Sequence, residues 1–234
     1  MRPSGLVVAI DGPSGAGKST VGRALAERLG YTYIDTGAMY RALAWKALRN
    51  SVPLDSDSDL AALSQATSLE LVDGGRRVRV DRADVTAEIR TPEVSAAASR
   101  VSVHGGVRRD MVARQRAMGQ GGGVVLDGRD IGTAVFPDAE VKFYLDADPA
   151  QRARRRHEEL QRAGASVSLQ TVEREVRQRD HADSHRAESP LVRAADAIDL
   201  DTTTLAPEDV IARMLEIVRA RAASGTSAAR SDSD

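Results

Sequence analysis

The chain has 234 residues, 41% of them apolar and 29% charged, which suits one soluble globular core with small appended lobes. It contains no Cys, which removes disulfides, thiolate metal sites and Cys nucleophiles, and a formal net charge of −1 argues against general nucleic-acid affinity. The first apolar run is five residues long and ends in Asp11, too short for a signal peptide or a membrane span, so cytoplasm is the expected compartment and no membrane partner is expected.

That run, Leu6-Val7-Val8-Ala9-Ile10, reads as a buried strand. Gly12-Pro13-Ser14-Gly15-Ala16-Gly17-Lys18-Ser19-Thr20 follows and matches the phosphate-loop pattern G-x-x-x-x-G-K-[ST] at every fixed position. Glycines let backbone N–H groups curl around anionic oxygens, and the next helix adds free N–H groups and a positive dipole end. Lys18 supplies a charge for the β/γ-phosphates and Ser19 a hydroxyl for Mg²⁺. Val21, Leu25 and Leu29 lie on one helical face, with Gly30 as the stop. Two lookalikes fail: a nucleophile elbow needs Gly where Ala16 stands, and a dinucleotide fingerprint from Gly15 needs Gly where Thr20 stands. The ligand this stretch predicts is a nucleoside triphosphate.

Tyr31-Thr32-Tyr33-Ile34-Asp35 reads as a second strand, leading through Thr36-Gly37-Ala38-Met39-Tyr40-Arg41 into a helix. This is either a second anion site or a helix capped by Thr36 with an exposed Arg41. A short helix is expected over 55–68, then a hairpin of Leu69-Glu70-Leu71-Val72 and Arg77-Val78-Arg79-Val80 around Asp73-Gly74-Gly75. The hairpin interrupts an otherwise alternating αβ pattern and reads as an inserted lobe. Glu88-Ile89-Arg90-Thr91-Pro92 opens a helix to 101, and a second helix runs over about 107–118.

Val124-Val125-Leu126-Asp127 looks like a buried parallel strand ending in a carboxylate, the shape of a Walker-B strand whose Asp places Mg²⁺; capping of the next segment is the plainer alternative. Gly128-Arg129-Asp130 follows at the carboxyl end of that strand, where open α/β sheets bind ligands. Residues 141–146 form another strand, 149–163 and 168–180 two Arg-rich helices, and 197–200 a last strand. Pro207 opens an amphipathic helix, and the Ser/Ala/Asp-rich stretch 223–234 is expected to be a disordered tail on a single domain of residues 1–222. Only Lys18, Lys46 and Lys142 are lysine, so an individual Arg says little except by position.

Arg41, Arg129, Arg179 and Arg186 sit with the triphosphate loop in a chain that offers no evident general base. An acceptor that is itself a phosphate needs none, because its oxygen is already an anion. Bringing two polyanions together demands exclusion of water, and the helical pair of 149–188 suits a lid. A switch GTPase would carry N-K-x-D, which neither Lys46 nor Lys142 supplies.

The phosphate loop, residues 35–41, Glu88-Ile89-Arg90-Thr91, Asp127-Gly128-Arg129-Asp130 and Arg179-Asp180-x-x-Asp183-x-x-Arg186 together resemble the bacterial cytidylate kinases, over about residues 6–221. The resemblance implies a three-layer α/β/α P-loop kinase with a five-stranded parallel sheet, an inserted β-containing acceptor lobe near 60–105 and a helical lid near 149–188. It implies transfer of the ATP γ-phosphoryl group to CMP or dCMP in pyrimidine nucleotide metabolism, with Mg²⁺ held by Ser19 and Asp127. Lys18, Arg129, Arg179 and Arg186 are the implied catalytic groups. Thr36, Arg41, Arg129 and Arg186 would hold the acceptor phosphate, Tyr40, Arg179 and Asp183 the ribose, and Ser99, Arg108 and Asp130 the base. A carboxylate beside a guanidinium suits cytosine's N4 donor and its N3 and O2 acceptors. The cluster Arg152 to Arg156 would lie near the ATP adenine or on the lid surface, rather than forming a nucleic-acid patch, since Glu158 and Glu159 flank it. His181 and His185 lack a third ligand and fit a solvated lid helix better than a metal pair. A monomer is expected.

Overall fold

A computed structural model describes residues 2–162 and 164–231, with side chains described as far as 224. In chain order, β1 (Val7–Asp11), α1 (Lys18–Leu29), β2 (Thr32–Asp35) and α2 (Thr36–Arg49) form the first βαβα unit. The insert then comprises α3 (Asp57–Gln65), β3 (Leu69–Val72), β4 (Arg77–Val80), β5 (Ala83–Asp84), α4 (Pro92–Val101) and α5 (Gly105–Gly119). The chain returns through β6 (Val124–Asp127) and β7 (Val141–Asp146), then α6 (Pro149–Arg162), α7 (Leu169–Ser184), β8 (Ile198–Asp201) and α8 (Pro207–Ser231).

β1 is buried at every position because it feeds two cores. Leu6, Val8 and Ile10 point into one with Val21, Leu25 and Met214, while Val7 and Ala9 point into the other with Leu126 and Ile131. It is the central strand of a sheet ordered β2-β6-β1-β7-β8, in which every pairing is parallel. α1 and α8 pack together on one face, and α5 and the segment after β6 cover part of the other. The expected three-layer architecture is therefore present, and the carboxyl ends of β1, β2 and β6 meet at one rim, where Asp35 pairs in register with Asp127. Among the described residues no helix is long and apolar enough to cross a membrane.

The insert has its own core, in which Met39, Ala42 and Leu43 of α2 pack with Val78, Val80, Ile89, Val94 and Met111. β3 and β4 form the antiparallel hairpin that the alternating residues predict, and β5 adds a third strand to it. The α6–α7 hairpin likewise has a small core of its own, Ala153, Leu160, Val172 and Val176.

Boundaries shift where local chemistry overrides pattern. α3 starts behind Ser56, whose hydroxyl accepts the Asp59 N–H, so the helix is shorter than 55–68. Residues 88–90 make a separate 3₁₀ turn, because Thr91 caps α4 by accepting from Val94 N and Pro92 then fills its first position. α7 runs past 180 to Ser184, which puts Arg179 and Asp183 one turn apart on the same helix. α8 continues to Ser231 into the stretch expected to be a disordered tail. Ala220, Ala222, Ala223, Ala228 and Ala229 carry the highest helix propensity, which composition read as low complexity conceals. The remainder of that tail, 232–234, lies outside the described residues.

Candidate active site

Residues 12–17 join β1 to α1, and the glycines divide the labour. Gly12 has φ 143°, and a Cβ there would stand 1.9 Å from the Leu145 carbonyl oxygen on β7, so this glycine is required by packing. Gly17 has φ 93°, and a Cβ there would meet nothing within 4 Å, so its open side is where phosphate oxygens can approach. Gly12→Ala is expected to lose roughly 3 kcal/mol of stability in chemical denaturation. Gly17→Ala is expected to stay within about 1–2 kcal/mol and to fail chiefly in ATP binding.

Lys18 begins α1 and is 6% exposed, its Nζ donating to the Pro13 carbonyl at 2.7 Å. Burial, and then the Arg129 guanidinium, push its pKa well below the usual lysine range. Beside it, Ser19 Oγ donates to Asp127 Oδ2 at 2.7 Å and Tyr33 OH donates to Oδ1 at 2.9 Å. Burial, and then Asp35, raise the Asp127 pKa. A hydroxyl and a carboxylate side by side form an all-oxygen donor set of the kind Mg²⁺ takes when substrate phosphates and water complete its shell. Among the described residues no group of three His, Asp or Glu side chains is placed to bind a metal on its own.

At the start of α2, Asp35 rather than Thr36 caps the helix, accepting from Ala38 N at 2.7 Å and from Arg41 Nη2 at 3.1 Å. Thr36 Oγ1 instead donates to the Asp127 carbonyl at 2.6 Å, tying the start of α2 to the end of β6. Arg108, from α5, forms a buried ion pair with Asp130 and lies over the Tyr40 ring at 5.7 Å. Burial pushes the Tyr40 hydroxyl up to about 12, so it is a neutral hydrogen-bonding group and no base. Arg129 Nε donates to Asp183 Oδ2 at 2.7 Å, and Arg186 lies 3.9 Å from the other Asp183 oxygen. Burial opposes the Asp183 charge, but Arg129 and Arg179 outweigh it and hold the carboxyl below its usual range. Burial and then Arg129 bring the Arg179 guanidinium down to about 10.

Lys18, Arg129, Arg179 and Arg186 thus share one region in which cation repels cation, offset by few carboxylates. The buried Nε atoms of Arg108, Arg179 and Arg186 have no hydrogen-bond partner among the described residues. An unmet buried donor costs about 1–3 kcal/mol, and more on a charged group, a cost that acceptor oxygens reaching these guanidinium groups would offset.

The family model described as cytidylate kinase matches residues 8–220. The chain belongs to the cytidylate kinase family. A cytidylate kinase from Desulfitobacterium hafniense (strain Y51) is 49% identical over 221 residues, covering 94% of this chain and 95% of that protein. One from Geobacillus sp. (strain WCH70) is 51% identical over 216 residues, 92% of this chain and 96% of that protein. An uncharacterized protein from Eubacterium ventriosum ATCC 27560 shares the fold alone, with a TM-score of 0.50, 13% identity, and coverage of 92% of this chain and 98% of that one.

Within this member of the cytidylate kinase family, the residues singled out by sequence fall into two groups. Gly12 to Thr20, Asp127, Thr36, Tyr40, Arg41, Arg108, Arg129, Asp130, Arg179, Asp183 and Arg186 sit in the contact network just described or border it. Ser99 is apart from it in its bonding, since its hydroxyl donates back to Ser95 O within α4. The Arg152 to Arg156 cluster resolves into separate duties. Arg152 is buried and donates to Ala147 O, Ser14 O and Asp180 Oδ2, tying α6 and α7 to residues 12–17. Arg155 donates to the Thr202 carbonyl, Arg156 pairs with Glu159, and Arg154 is exposed. The His181 and His185 rings stack with centroids 4.0 Å apart on α7.

Sequence reasoning missed Asp11, Tyr33 and Asp35. Asp11 ends a buried strand in a carboxylate, the very signal that marks Asp127, yet in the sequence it reads only as the end of an apolar run. Tyr33 carries no local signal, because its hydroxyl meets Asp127 across 94 residues of sequence.

Proposed function

We propose that this protein transfers the γ-phosphoryl group of ATP to CMP or dCMP, giving ADP and CDP or dCDP, with the roles divided between the two sides of the rim. Residues 12–20 take the triphosphate: backbone N–H groups and the α1 terminus surround its oxygens, and Lys18 leaves Pro13 O for the β/γ-phosphates. Ser19 and Asp127 would hold Mg²⁺, which when bound neutralises charge on the phosphates. Arg41, Arg129, Arg186 and Thr36 hold the acceptor phosphate, whose anionic oxygen attacks without a base. Tyr40, Arg179 and Asp183 orient the ribose, and Arg108 and Asp130, with Ser99 at the margin, read the base. Arg129 and Arg179 also offset charge that develops between the two phosphates. The α6–α7 hairpin, residues 149–188, acts as a lid: it has its own small core, carries Arg179 and Asp183, and so delivers positive charge as it excludes water.

The observation that carries this reading is the buried Arg108–Asp130 pair at the end of β6, beside guanidinium groups whose Nε donors are unmet. A carboxylate there faces a donor in cytosine and an acceptor in uracil, and a buried polar mismatch discriminates strongly. A coupled assay over CMP, dCMP, UMP and AMP is the test. CMP or dCMP is expected to exceed UMP by at least about 10²-fold in kcat/KM, with turnover lost in excess EDTA. Strong use of AMP or UMP with none of CMP rejects the reading. The cytoplasm, where ATP and nucleoside monophosphates coexist, is the compartment this activity suits.

A further inference from the structure

Between β6 and the next strand the chain makes one π-helical turn, Ile131–Val135, immediately after Gly128-Arg129-Asp130. Such turns open with free N–H groups, and here the first two are taken by one side chain. Asp11 Oδ1 accepts from Ile131 N at 2.8 Å and Oδ2 from Gly132 N at 2.7 Å, and Asp11 is 4% exposed. On the other flank, Gly128 N donates to the Ile10 carbonyl at 2.9 Å. The loop is therefore pinned to the last two residues of β1 at both ends, and between the pins only Arg129 and Asp130 project. Those are the residues that pair with Asp183 and Arg108. The next residue along β1 is Gly12, where the phosphate loop begins.

We propose that Asp11 is a positioning residue for the acceptor site: its carboxylate sets the depth and direction of Arg129 and Asp130 relative to the phosphate loop, and so the register of acceptor against donor. Both oxygens are needed, because two adjacent N–H groups point at them. A carboxylate supplies two acceptors in that spacing, whereas a carboxamide supplies one acceptor and turns a donor toward the second N–H. The charge is retained against its surroundings, since burial pushes the carboxyl up to about 6 in spite of the two N–H groups that favour ionisation. This inference rests on the reading of Arg129 and Asp130 as acceptor-binding residues.

The test is Asp11→Asn, with Asp130→Ala measured in parallel. Asp11→Asn is expected to raise the KM for CMP at least about tenfold and to lower the preference for CMP over UMP by a similar factor, because small displacements of a positioning group are felt strongly. The calorimetric Kd for Mg·ATP is expected to stay within about threefold, since the backbone of residues 12–20 is untouched. A CMP KM and selectivity within about twofold of the parent overturn the proposal, and so does an equal loss of ATP and CMP affinity, the mark of general damage. In the unsubstituted protein the Ile131 and Gly132 amides are expected to be protected from hydrogen exchange by at least about 100-fold. Fast exchange at both overturns the clamp without recourse to any variant. If Asp130→Ala alters base selection and Asp11→Asn does not, the positioning role fails by itself. If Asp130→Ala leaves selection unchanged, the acceptor reading fails and takes this inference with it.

Discussion

Replacing Lys18 with alanine is expected to lower kcat by about 10³-fold while the Kd for CMP stays within about twofold, the signature of a group that acts on charge in the transferring phosphoryl. The ammonium is buried, and its hydrogen bond to Pro13 O is to the loop itself. Burial and then Arg129 push its pKa down, so the folded state disfavours the charged form. The sign of that linkage matters for the control. A lysine whose folded pKa lies below its unfolded value destabilises the fold at every pH below the unfolded value, and alanine removes that term. Thermal denaturation is therefore expected to give a Tm equal to or above the parent's. Loss of activity with unchanged or raised Tm assigns Lys18 to the chemistry; a near-normal single-turnover rate removes it from the mechanism. Lys18→Arg is not expected to rescue, because a planar fork does not reproduce a compact point charge in a closed loop.

Asp130 governs a second large effect, in selectivity. Asp130→Ala is expected to reduce kcat/KM for CMP by about 10²-fold and to relax the preference over UMP by a similar factor. It also strands the Arg108 guanidinium, whose side chain is 3% exposed, so a loss of roughly 3 kcal/mol in stability is expected alongside. Asp130→Asn separates the two contributions. The carboxamide nearly keeps the shape and can present N–H where cytosine needs an acceptor and uracil offers one. Its kcat/KM for UMP relative to CMP is expected to rise by about 10-fold or more. Steady-state kinetics with both nucleotides, beside denaturation curves for both variants, decide the matter. An unchanged ratio in each variant moves base recognition elsewhere in the acceptor lobe.

Most of the architecture is legible in the sequence because its signals are local and strong. An apolar run of five, a phosphate loop with no departure from its pattern and a helix with one apolar face locate β1 to within one residue and the end of α1 at Leu29. The hairpin of 69–80 announces itself through alternation around Asp73-Gly74-Gly75. Element ends are less legible, because caps compete over distances of three residues. Asp35 takes the α2 cap that Thr36 is also able to fill, and in doing so it claims Arg41. α7 runs one turn beyond its expected end, and that turn carries Asp183.

What the amino-acid order by itself made legible is the segment proposed for the donor: residues 12–20 carry in one continuous stretch the backbone, lysine and hydroxyl that a triphosphate needs, so no distant contact is required to read it. The order of the motifs also determined the family. Only the tertiary structure decided that Asp11 binds the loop carrying Arg129 and Asp130, that Tyr33 meets Asp127, and that Arg152 ties α6 to Ser14. These contacts join residues 94 to 138 positions apart, brought together by parallel strands whose crossovers erase sequence distance. Hydrophobic periodicity reports which face of an element is buried, but it is silent about which polar atom a buried neighbour will offer.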